Sequence, residues 1–591
     1  MNYPTLNTIA VSRETLDVFG GYNHNLRIGE GEFYDMRNLT SSYYPLLSVR
    51  QKRGVYASPT APGGMIAKDS LCYIDGGDFV MNEYRIHMNF SSDLPKQLIS
   101  MGAYVIILPD KKYINTADIT DYGNIEASVT TTSDVSFELC RIDGSAYSVT
   151  YRQSSEPENP DNMACWIDTS SEPHALKQYS AENSTWINVN STYIKISSAG
   201  IGAAFAQYDG VTISGLSGTT LIQNGSAVTD ADIATIDGSF VIWERGNDYI
   251  VIIGMLDTAR TISNAVTVAR KMPNMDFVTE SGNRLWGCRY GVAANGDIVN
   301  EIYASKLGDF KNWNCFMGIS TDSYVASCGT DGQFTGAVTH LGYPLFFKEN
   351  YLHKIYGNVP SNFQVQTTVC RGVQKGSAKS LATVNEILFY KSKNGICVYD
   401  GSLPTEISGD LGETVYHAAV GAPCRNKYYV SMCDDGGEYS LFVYDTSRKM
   451  WHKEDSTHAD DFCYCRNELY YTDHADNKIK TVFGSGTTDA EPVSWMAETG
   501  IIGADSPDRK YISRLNLRMS LGLEAVVRIF VQYNSSGKWE QSVVVRSYGT
   551  DTFTVCLNPR RCDHMRIRIE GEGEAKIYSI TKAIMKGSDA R

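Results

Sequence analysis

Residues 452–465, HKEDSTHADDFCYC, concentrate side chains that could bind a metal ion. Imidazole, carboxylate and thiolate groups are the protein ligands that zinc takes. The candidate ligands are His452, Asp455, His458, Asp460, Asp461, Cys463, Cys465 and, a little further along the chain, His474. Their spacing matches none of the usual structural zinc patterns. Because buried thiols beside solvated turn residues explain the stretch at least as well, the sequence predicts no metal-binding residue.

Other patterns that would carry catalysis or ligand binding are also missing from the sequence. Residues 372–380, GVQKGSAKS, place glycines near a lysine and a serine but lack the glycine spacing of a phosphate-binding loop. The acidic turns at 329–334 and 433–439 lack the twelve-residue calcium loop, and no GxSxG motif occurs. A propeller can host sugar hydrolysis, but the sequence offers no support for it. We therefore expect no catalytic residue, no cofactor and no enzymatic activity.

Composition narrows the class of protein further. The formal net charge of −14 argues for solubility and against a surface that grips nucleic acid, although an acidic wall past which DNA slides is compatible with it. The 14 cysteines are scattered without CxxC pairs, as expected for buried thiols in a reducing compartment. We see no secretion signal near the start and no run of ~18 apolar residues. The expectation is a soluble protein made in a cytoplasm, with no membrane segment.

A repeated unit in the second half of the chain indicates the elements that hold these side chains. Each copy begins at a polar turn and continues into an aromatic-rich strand. The copies begin at Asn283, Gly342, Asn385, Asn426 and Asn467, with start-to-start spacings of 59, 43, 41 and 41 residues. Periods of ~40–50 residues are typical of four-stranded propeller blades. The alternative is an ordinary series of hairpins, but the near-equal spacings favour an all-β propeller of about six to eight blades.

The remaining segments complete a domain prediction. Residues 69–88, 103–118 and 238–254 look like further blades, and the Ser/Thr/Asn-rich segment between the last two has strand signals of its own. From about residue 490 the strands alternate with period two, which is typical of an antiparallel sandwich. We predict an extended N-terminal arm at 1–56, a β-propeller at 57–488, a small β domain inserted in an early blade at 120–235, and a C-terminal β-sandwich at 489–591.

Two tryptophans at similar places after similar strands need a separate interpretation. Trp313 lies in FKNWN and Trp451 in KMWHKE. Such rings can stack on sugars, yet repetition at similar positions points to architecture. We expect both to be buried at blade edges.

The arm carries a resemblance to a known group of proteins. Residues 31–54 read GEFYDMRNLTSSYYPLLSVRQKRG. This segment resembles tail proteins of bacteriophages and prophages from Gram-positive gut bacteria, through Gly20, Gly21, the run Glu32-Phe33-x-Asp35-Met36-x-Asn38-Leu39, Tyr44-Pro45, Arg50 and Arg53. Residues 275–291, 301–314, 342–357 and 443–455 are similar to the same group. A more distant resemblance is to the packaged-DNA stabilisation proteins and tail nozzles of short-tailed phages, which are commonly six-fold rings.

The resemblance implies a structural protein of the virion tail, synthesised in the cytoplasm of the bacterial host. It would form a homo-oligomeric ring of six subunits that extends or plugs the DNA channel, stabilises packaged DNA and serves DNA ejection. Its partners would be copies of itself, neighbouring tail or connector proteins, and passing double-stranded DNA without sequence specificity. One alternative is a receptor- or glycan-binding tail component with its site at Trp186 in the inserted domain. Another is a polysaccharide-degrading enzyme.

The arm itself has two possible roles. An extended segment with tyrosines and arginines can add a strand to a neighbouring sheet edge and pair with carboxylates there. Residues 20–54 would then lock subunits together in a ring. Alternatively, the arm closes its own propeller by pairing with the last blade.

Overall fold

The computed structural model describes residues 11–91, 95–171, 173–217, 220–223, 226–229, 233, 235–293, 296–488, 491–503, 510–557 and 560–586. Nearly all regular structure in these ranges is β-strand, as predicted. No helix in the described part is long and apolar enough to cross a membrane.

The N-terminal arm is not a free extension, because it forms five short strands. They are β1 (Val11–Leu16), β2 (Phe33–Arg37), β3 (Leu39–Thr40), β4 (Leu47–Val49) and β5 (Gly54–Ala57). Each of the five pairs with a strand from a later part of the chain or with its neighbour in the arm.

Two antiparallel four-stranded blades follow the arm. Blade 1 contains β6 (Pro62–Ala67), β7 (Leu71–Asp75), β8 (Asp78–Met81) and β9 (Tyr84–His87). Blade 2 contains β10 (Gln97–Met101), β11 (Tyr104–Leu108), β12 (Lys112–Asn115) and β13 (Tyr122–Asn124). In each blade the strands pair in sequence order, as expected for consecutive hairpins.

The inserted domain lies between blade 2 and the next blade. Its strands are β14 (Ala127–Thr130), β15 (Val135–Cys140), β16 (Val149–Gln153), β17 (Cys165–Asp168), β18 (Ala175–Ser180), β19 (Thr185–Asn188), β20 (Tyr193–Ser197), β21 (Gly210–Ser214), β22 (Thr220–Gln223), β23 (Ser226–Thr229), β24 (Gly238–Val241), β25 (Glu244–Arg245), β26 (Tyr249–Ile253), β27 (Arg260–Ile262) and β28 (Thr267–Arg270). They form the sheets β14-β28-β21-β24, β25-β26-β20-β15-β27 and β16-β17-β18-β19, and the hairpin β22-β23. The first two sheets enclose a common apolar core.

The insertion is therefore longer than the predicted 120–235, and it separates two blades rather than interrupting one. The prediction that 238–254 forms a blade is wrong, since β24–β26 belong to this domain. Strand β26 pairs with β20, placing Ile252 opposite Ile194. A run of apolar residues shows that a strand is buried but does not identify its partner strand.

Five further blades complete the propeller. Blade 3 contains β29 (Phe277–Ser281), β30 (Arg284–Val292), β31 (Ile298–Ala304) and β32 (Tyr324–Ser327); blade 4 contains β33 (Phe334–His340), β34 (Tyr343–Lys348), β35 (Tyr351–Tyr356) and β36 (Gln364–Val369). Blade 5 contains β37 (Ala382–Val384), β38 (Ile387–Lys391), β39 (Ile396–Tyr399) and β40 (Thr405–Glu406); blade 6 contains β41 (Tyr416–Cys424), β42 (Lys427–Asp434), β43 (Tyr439–Asp445) and β44 (Met450–Lys453). Blade 7 contains β45 (Ala459–Cys465), β46 (Glu468–Asp473) and β47 (Ile479–Thr481), and β48 (Thr487–Thr488) lies at its edge. Short 3-10 turns lie at Pro360–Asn362, Ala378–Ser380 and Gly409–Leu411.

The predicted repeat marks one position in five blades. Each repeat start lies in the turn between the first and second strands of blades 3 to 7. Asn283, Gly342, Asn385 and Asn467 have φ values of +59°, +79°, +47° and +67°. These values lie in the left-handed region that Gly and Asn tolerate best. The repeat therefore reflects a turn requirement, and it correctly predicted the propeller.

In the described part of the chain, seven blades form a closed ring, within the predicted range of six to eight. The first strands of neighbouring blades contact one another in several junctions, and β45 of blade 7 contacts β6 of blade 1. Among the described residues, β45 to β47 are the consecutive strands of blade 7, and β5 of the arm pairs antiparallel with β47 as its fourth strand. The arm thus closes its own propeller, as one of the two alternatives predicted.

The rest of the arm is part of the C-terminal sandwich. The C-terminal strands are β49 (Ser494–Thr499), β50 (Lys510–Leu521), β51 (Val526–Tyr533), β52 (Glu540–Arg546), β53 (Gly549–Cys556), β54 (Met565–Glu572) and β55 (Ala575–Lys586). One sheet has the order β3-β4-β55-β50-β53, with β1 also on β55, and the other has the order β2-β49-β54-β51-β52. Strands β2 to β4 therefore pair within this chain, with β2 and β3 at the edges of their sheets. A role of the arm in locking a neighbouring subunit stays a prediction.

A continuous core joins the arm, the propeller and the sandwich. Phe33 and Met36 of the arm pack in one buried cluster with Trp451 of blade 6 and with Leu517 and Ile567 of the sandwich. The alternation predicted for 515–519 and 565–569 is confirmed, because the odd-numbered residues of both segments are buried. Burial of each such aliphatic side chain contributes roughly 1.5–3 kcal/mol to the free energy of folding.

Trp313 and Trp451 are both buried, with 3% and 0% of their surfaces exposed. The indole N–H of Trp313 donates to the carbonyl of Phe310 at 2.9 Å, and that of Trp451 donates to the carbonyl of Ile407 at 2.9 Å. A buried, hydrogen-bonded indole packs the core rather than receiving a ligand. The two tryptophans are architectural, as expected.

Candidate functional site

Most of the candidate ligands in 452–465 have structural roles. Asp455 accepts hydrogen bonds from Arg50 at 2.9 Å and Arg53 at 3.2 Å. The carboxylate of Asp461 accepts a bond from the amide of Met65 at 3.0 Å. His452 is buried, and burial lowers its pKa to about 3. The two carboxylates therefore hold separate segments of the chain together, and His452 is part of the buried interior.

The two cysteines of the stretch are also internal. Cys463 and Cys465 are buried on β45. Burial raises the pKa of the Cys463 thiol, so the thiolate that binds metals is disfavoured. The interpretation of these residues as buried thiols is supported.

The structure nevertheless brings three of the candidates together, namely His458, Asp460 and His474. His458 immediately precedes β45, Asp460 lies at an irregularity in the pairing of β45 with β46, and His474 follows β46. The backbone amide of His474 donates to the carbonyl of His458 at 3.0 Å. Neighbouring strands of blade 7 therefore position residues that are 14 and 16 positions apart in the sequence.

The side chains of this group converge. His474 Nδ1 lies 2.9 Å from Asp460 Oδ1, and His458 Nε2 lies 3.9 Å from the same oxygen. The two imidazole rings stack with centroids 4.0 Å apart. Burial lowers the pKa of His458, and the neighbouring His474 lowers it further. We call these three residues the His-Asp-His cluster.

A second surface with ligand-binding chemistry lies on the inserted domain. In the sheet β16-β17-β18-β19, Tyr151 is opposite Trp166 and Tyr179 is opposite Trp186. Lys177 lies opposite Trp166 and two residues before Tyr179, so all five side chains lie on one side of the sheet. We call this side the aromatic face. The other side packs inward through residues of the cluster around Ile167.

The rings of the aromatic face group around Trp186. Its ring centroid lies 5.3 Å from those of Trp166 and Tyr179 and 6.1 Å from that of Tyr151. Trp166 is buried, whereas Tyr151, Tyr179 and Trp186 are partly exposed. Sequence analysis singled out Trp186 alone. The signal for its neighbours was the alternation of aromatic residues along short strands, but only strand pairing places them side by side.

Polar groups adjoin these rings. Lys177 Nζ donates to Asp168 Oδ2 at 2.7 Å and lies 4.7 Å from the centre of the Trp166 ring. The hydrogen bond from Lys177 lowers the pKa of Asp168 to about 2, so this carboxylate is ionised near pH 7. A surface with aromatic rings beside a fixed donor and a fixed acceptor can bind a ligand that has both apolar C–H groups and hydroxyls.

The chain was compared with known proteins. No protein-family model matches it, and no curated protein matches it. An exo-beta-1,3-galactanase from Phanerochaete chrysosporium is 10% identical, with 52% of this chain and 94% of that one covered and a TM-score of 0.21. The WD40 repeats of RRP9 are 10% identical, with 36% and 83% covered and a TM-score of 0.22. An engineered GH43 glycoside hydrolase is 8% identical, with 53% and 97% covered and a TM-score of 0.20.

These comparisons require one correction. The sequence predicted that the chain has no enzymatic activity, but several of the similar structures are glycoside hydrolases. That prediction is therefore contradicted and is withdrawn. A likeness at 10% identity or less concerns the fold alone, so no particular activity and no catalytic residue are carried over to this chain.

Proposed function

We propose that this protein is a structural component of a bacteriophage tail, assembled as a homo-oligomeric ring in line with the DNA channel. The observation that carries the proposal is the position of the residues that resemble phage tail proteins. Arg50 and Arg53 of the arm bind the segment that links blades 6 and 7, and Phe33 and Met36 join the propeller to the sandwich. The resemblance therefore falls on the residues that build the scaffold.

The distribution of similarity agrees with a common scaffold that carries a variable module. The similar segments 275–291, 301–314, 342–357 and 443–455 contribute to blades 3, 4 and 6. None of these four segments lies in the inserted domain, which has its own core. The net charge of −14 suits a channel wall that does not retain DNA.

The first prediction concerns assembly and location. In particles purified from the phage that encodes this chain, we expect mass spectrometry to detect it in the tail fraction. Cryo-electron microscopy of that fraction is expected to show a ring with a mass about six times the 65.4 kDa of one subunit. Absence of the chain from purified particles would contradict the proposal, and a particle with one or three copies would contradict the ring.

A second candidate function is glycan binding by the inserted domain, and the aromatic face favours it. Sugar rings stack on aromatic side chains through their C–H groups, while their hydroxyls pair with fixed donors and acceptors. Trp186 with Tyr179 would supply the stacking surface, and the Lys177–Asp168 pair would supply the polar contacts. A tail component of this kind would contact a polysaccharide on the host surface.

The second prediction tests this face. Trp186→Ala is expected to weaken binding to host cell-wall polysaccharide at least about tenfold, or about 1.4 kcal/mol, because aromatic anchors dominate binding energy. Affinity electrophoresis measures the change. Ile187→Ala is the matched control, since Ile187 is the next residue on β19, is 48% exposed and points to the other side of the sheet. Equal binding by the wild type and both variants would rule out a glycan site on the aromatic face.

A further inference from the structure

We propose that the His-Asp-His cluster binds one divalent transition-metal ion, with His458, Asp460 and His474 as its protein ligands. The proposal does not depend on the tail function, since it rests on the geometry of blade 7. Among the described residues, this is the group in which three ligand-type side chains converge. Each of the three residues offers one ligand atom, and these atoms lie within 4.8 Å of one another.

The distances are compatible with a shared ion. Zinc binds histidine nitrogen and carboxylate oxygen at about 2.0–2.2 Å in tetrahedral geometry, so two ligand atoms on one ion lie about 3.4 Å apart. The separations of 2.9 Å from His474 Nδ1 to Asp460 Oδ1 and 3.9 Å from His458 Nε2 to the same oxygen lie on either side of that value. The ligand atoms of the two histidines lie within 4.8 Å of each other.

The surroundings hold the ligands in place. The ring of His458 is stacked between Tyr439 of blade 6, at 3.4 Å between centroids, and His474, at 4.0 Å. The backbone bond between His474 and His458 fixes the two loops against each other. Lys379 Nζ donates to the backbone carbonyl of Asp460 at 2.8 Å, which leaves the carboxylate to its two histidines. Such preorganisation lowers the entropic cost of binding an ion.

The donor set selects the class of metal. Two imidazoles and one carboxylate suit zinc and iron(II), whereas calcium and magnesium prefer sites made of oxygen ligands. Three protein ligands leave at least one coordination position open to water or to a group from another molecule. The side chains of Asp460 and His474 are 41% and 59% exposed, so that position faces solvent at the face of the propeller where the first strands begin.

The test uses Zn²⁺ and the full-length chain. The protein is dialysed to equilibrium against Zn²⁺, and the metal bound per chain is measured by elemental analysis. We expect His474→Ala and His458→Ala each to bind one Zn²⁺ fewer than the wild type, and Asp460→Asn to bind it at least about tenfold more weakly. The wild type and the variants contain the same cysteines. The difference in bound Zn²⁺ between the wild type and each variant therefore excludes any metal bound by thiols.

The chain offers a matched control in blade 1. His87 Nδ1 contacts Asp78 Oδ1 at 2.7 Å and the His87 side chain is 69% exposed, but no third ligand of this kind joins the pair in the described part of the chain. His87→Ala is expected to bind as much Zn²⁺ as the wild type. An equal Zn²⁺ content in the wild type and His474→Ala would overturn the proposal. A loss of bound Zn²⁺ in His87→Ala as large as that in His474→Ala would also overturn it. Because His474 is exposed, we expect metal-free His474→Ala to have the same thermal unfolding midpoint as the metal-free wild type. Thermal unfolding of both proteins is measured in parallel.

Discussion

Replacing Arg53 by methionine is expected to reduce the free energy of unfolding by about 3–5 kcal/mol, because removal of one partner leaves buried charges uncompensated. The guanidinium contacts Glu454 at 2.6 Å and Asp455 at 3.2 Å, and only 8% of the Arg53 side chain is exposed. It also donates to the carbonyl of Val482 at 3.3 Å in blade 7. Urea denaturation of the wild type and Arg53→Met measures the effect.

Arg85→Met is the control for this experiment. Arg85 also binds two carboxylates, Asp75 at 2.8 Å and Asp78 at 2.9 Å, but its side chain is 52% exposed. Exposed ion pairs contribute about 0–1 kcal/mol. The carboxylate of Asp75 is buried, but it keeps its hydrogen bonds from the amides of Thr60 and Ala61 when Arg85 is removed, so Arg85→Met should change stability little. Similar losses in the two variants would show that burial of the Arg53 network is not what stabilises the arm.

The same network sets a dependence on pH. Burial opposes the ionisation of Asp455, but the charges of Arg53 and Arg50 outweigh it and lower its pKa to about 2. A lowered folded-state pKa stabilises the protein above the ordinary value of 3.8. We expect this contribution to be present at pH 5 and to be lost as the pH falls from about 4 to about 2. The loss over this interval should be smaller in Arg53→Met.

Gly54→Ala is expected to destabilise the closed propeller by roughly 3 kcal/mol, at the upper end of the usual cost of overpacking. Gly54 is in β5, opposite Thr481 of β47. A Cβ atom there would lie 2.2 Å from the carbonyl oxygen of Ser485 and 2.5 Å from Thr481 Oγ1. Thr481 Oγ1 donates to that same carbonyl at 2.7 Å, so the obstructing atoms are held together. The strand that completes blade 7 would have to move.

Gly291→Ala gives the comparison within a strand of blade 3. No heavy atom lies within 4 Å of a Cβ built on Gly291, so alanine there should be neutral or slightly stabilising. Thermal unfolding and limited proteolysis of both variants measure the difference, and we expect faster cleavage only in Gly54→Ala. Equal stability of the two variants would contradict the role of β5 as the closing strand.

The sequence by itself determined the features that depend on local chain properties. Asn283, Asn385 and Asn467 marked the blades because a tight turn needs a residue that tolerates positive φ. The alternation of apolar and polar residues at 515–519 indicated the sandwich, because successive strand residues point to opposite sides of a sheet. Both signals come from neighbours in sequence, so they can be read without knowing what each strand packs against.

Only the tertiary structure decided which strands pair. Backbone hydrogen bonds between strands are alike for every partner, so the sequence of β26 could not assign it to the insertion, nor that of β5 to the last blade. Strand pairing also brings His474 to His458 in blade 7 and places Trp186 beside Trp166 in the inserted domain. Each candidate site joins residues on or next to different strands of one sheet. Their chemistry therefore follows from burial and register over the whole chain, which no local pattern encodes.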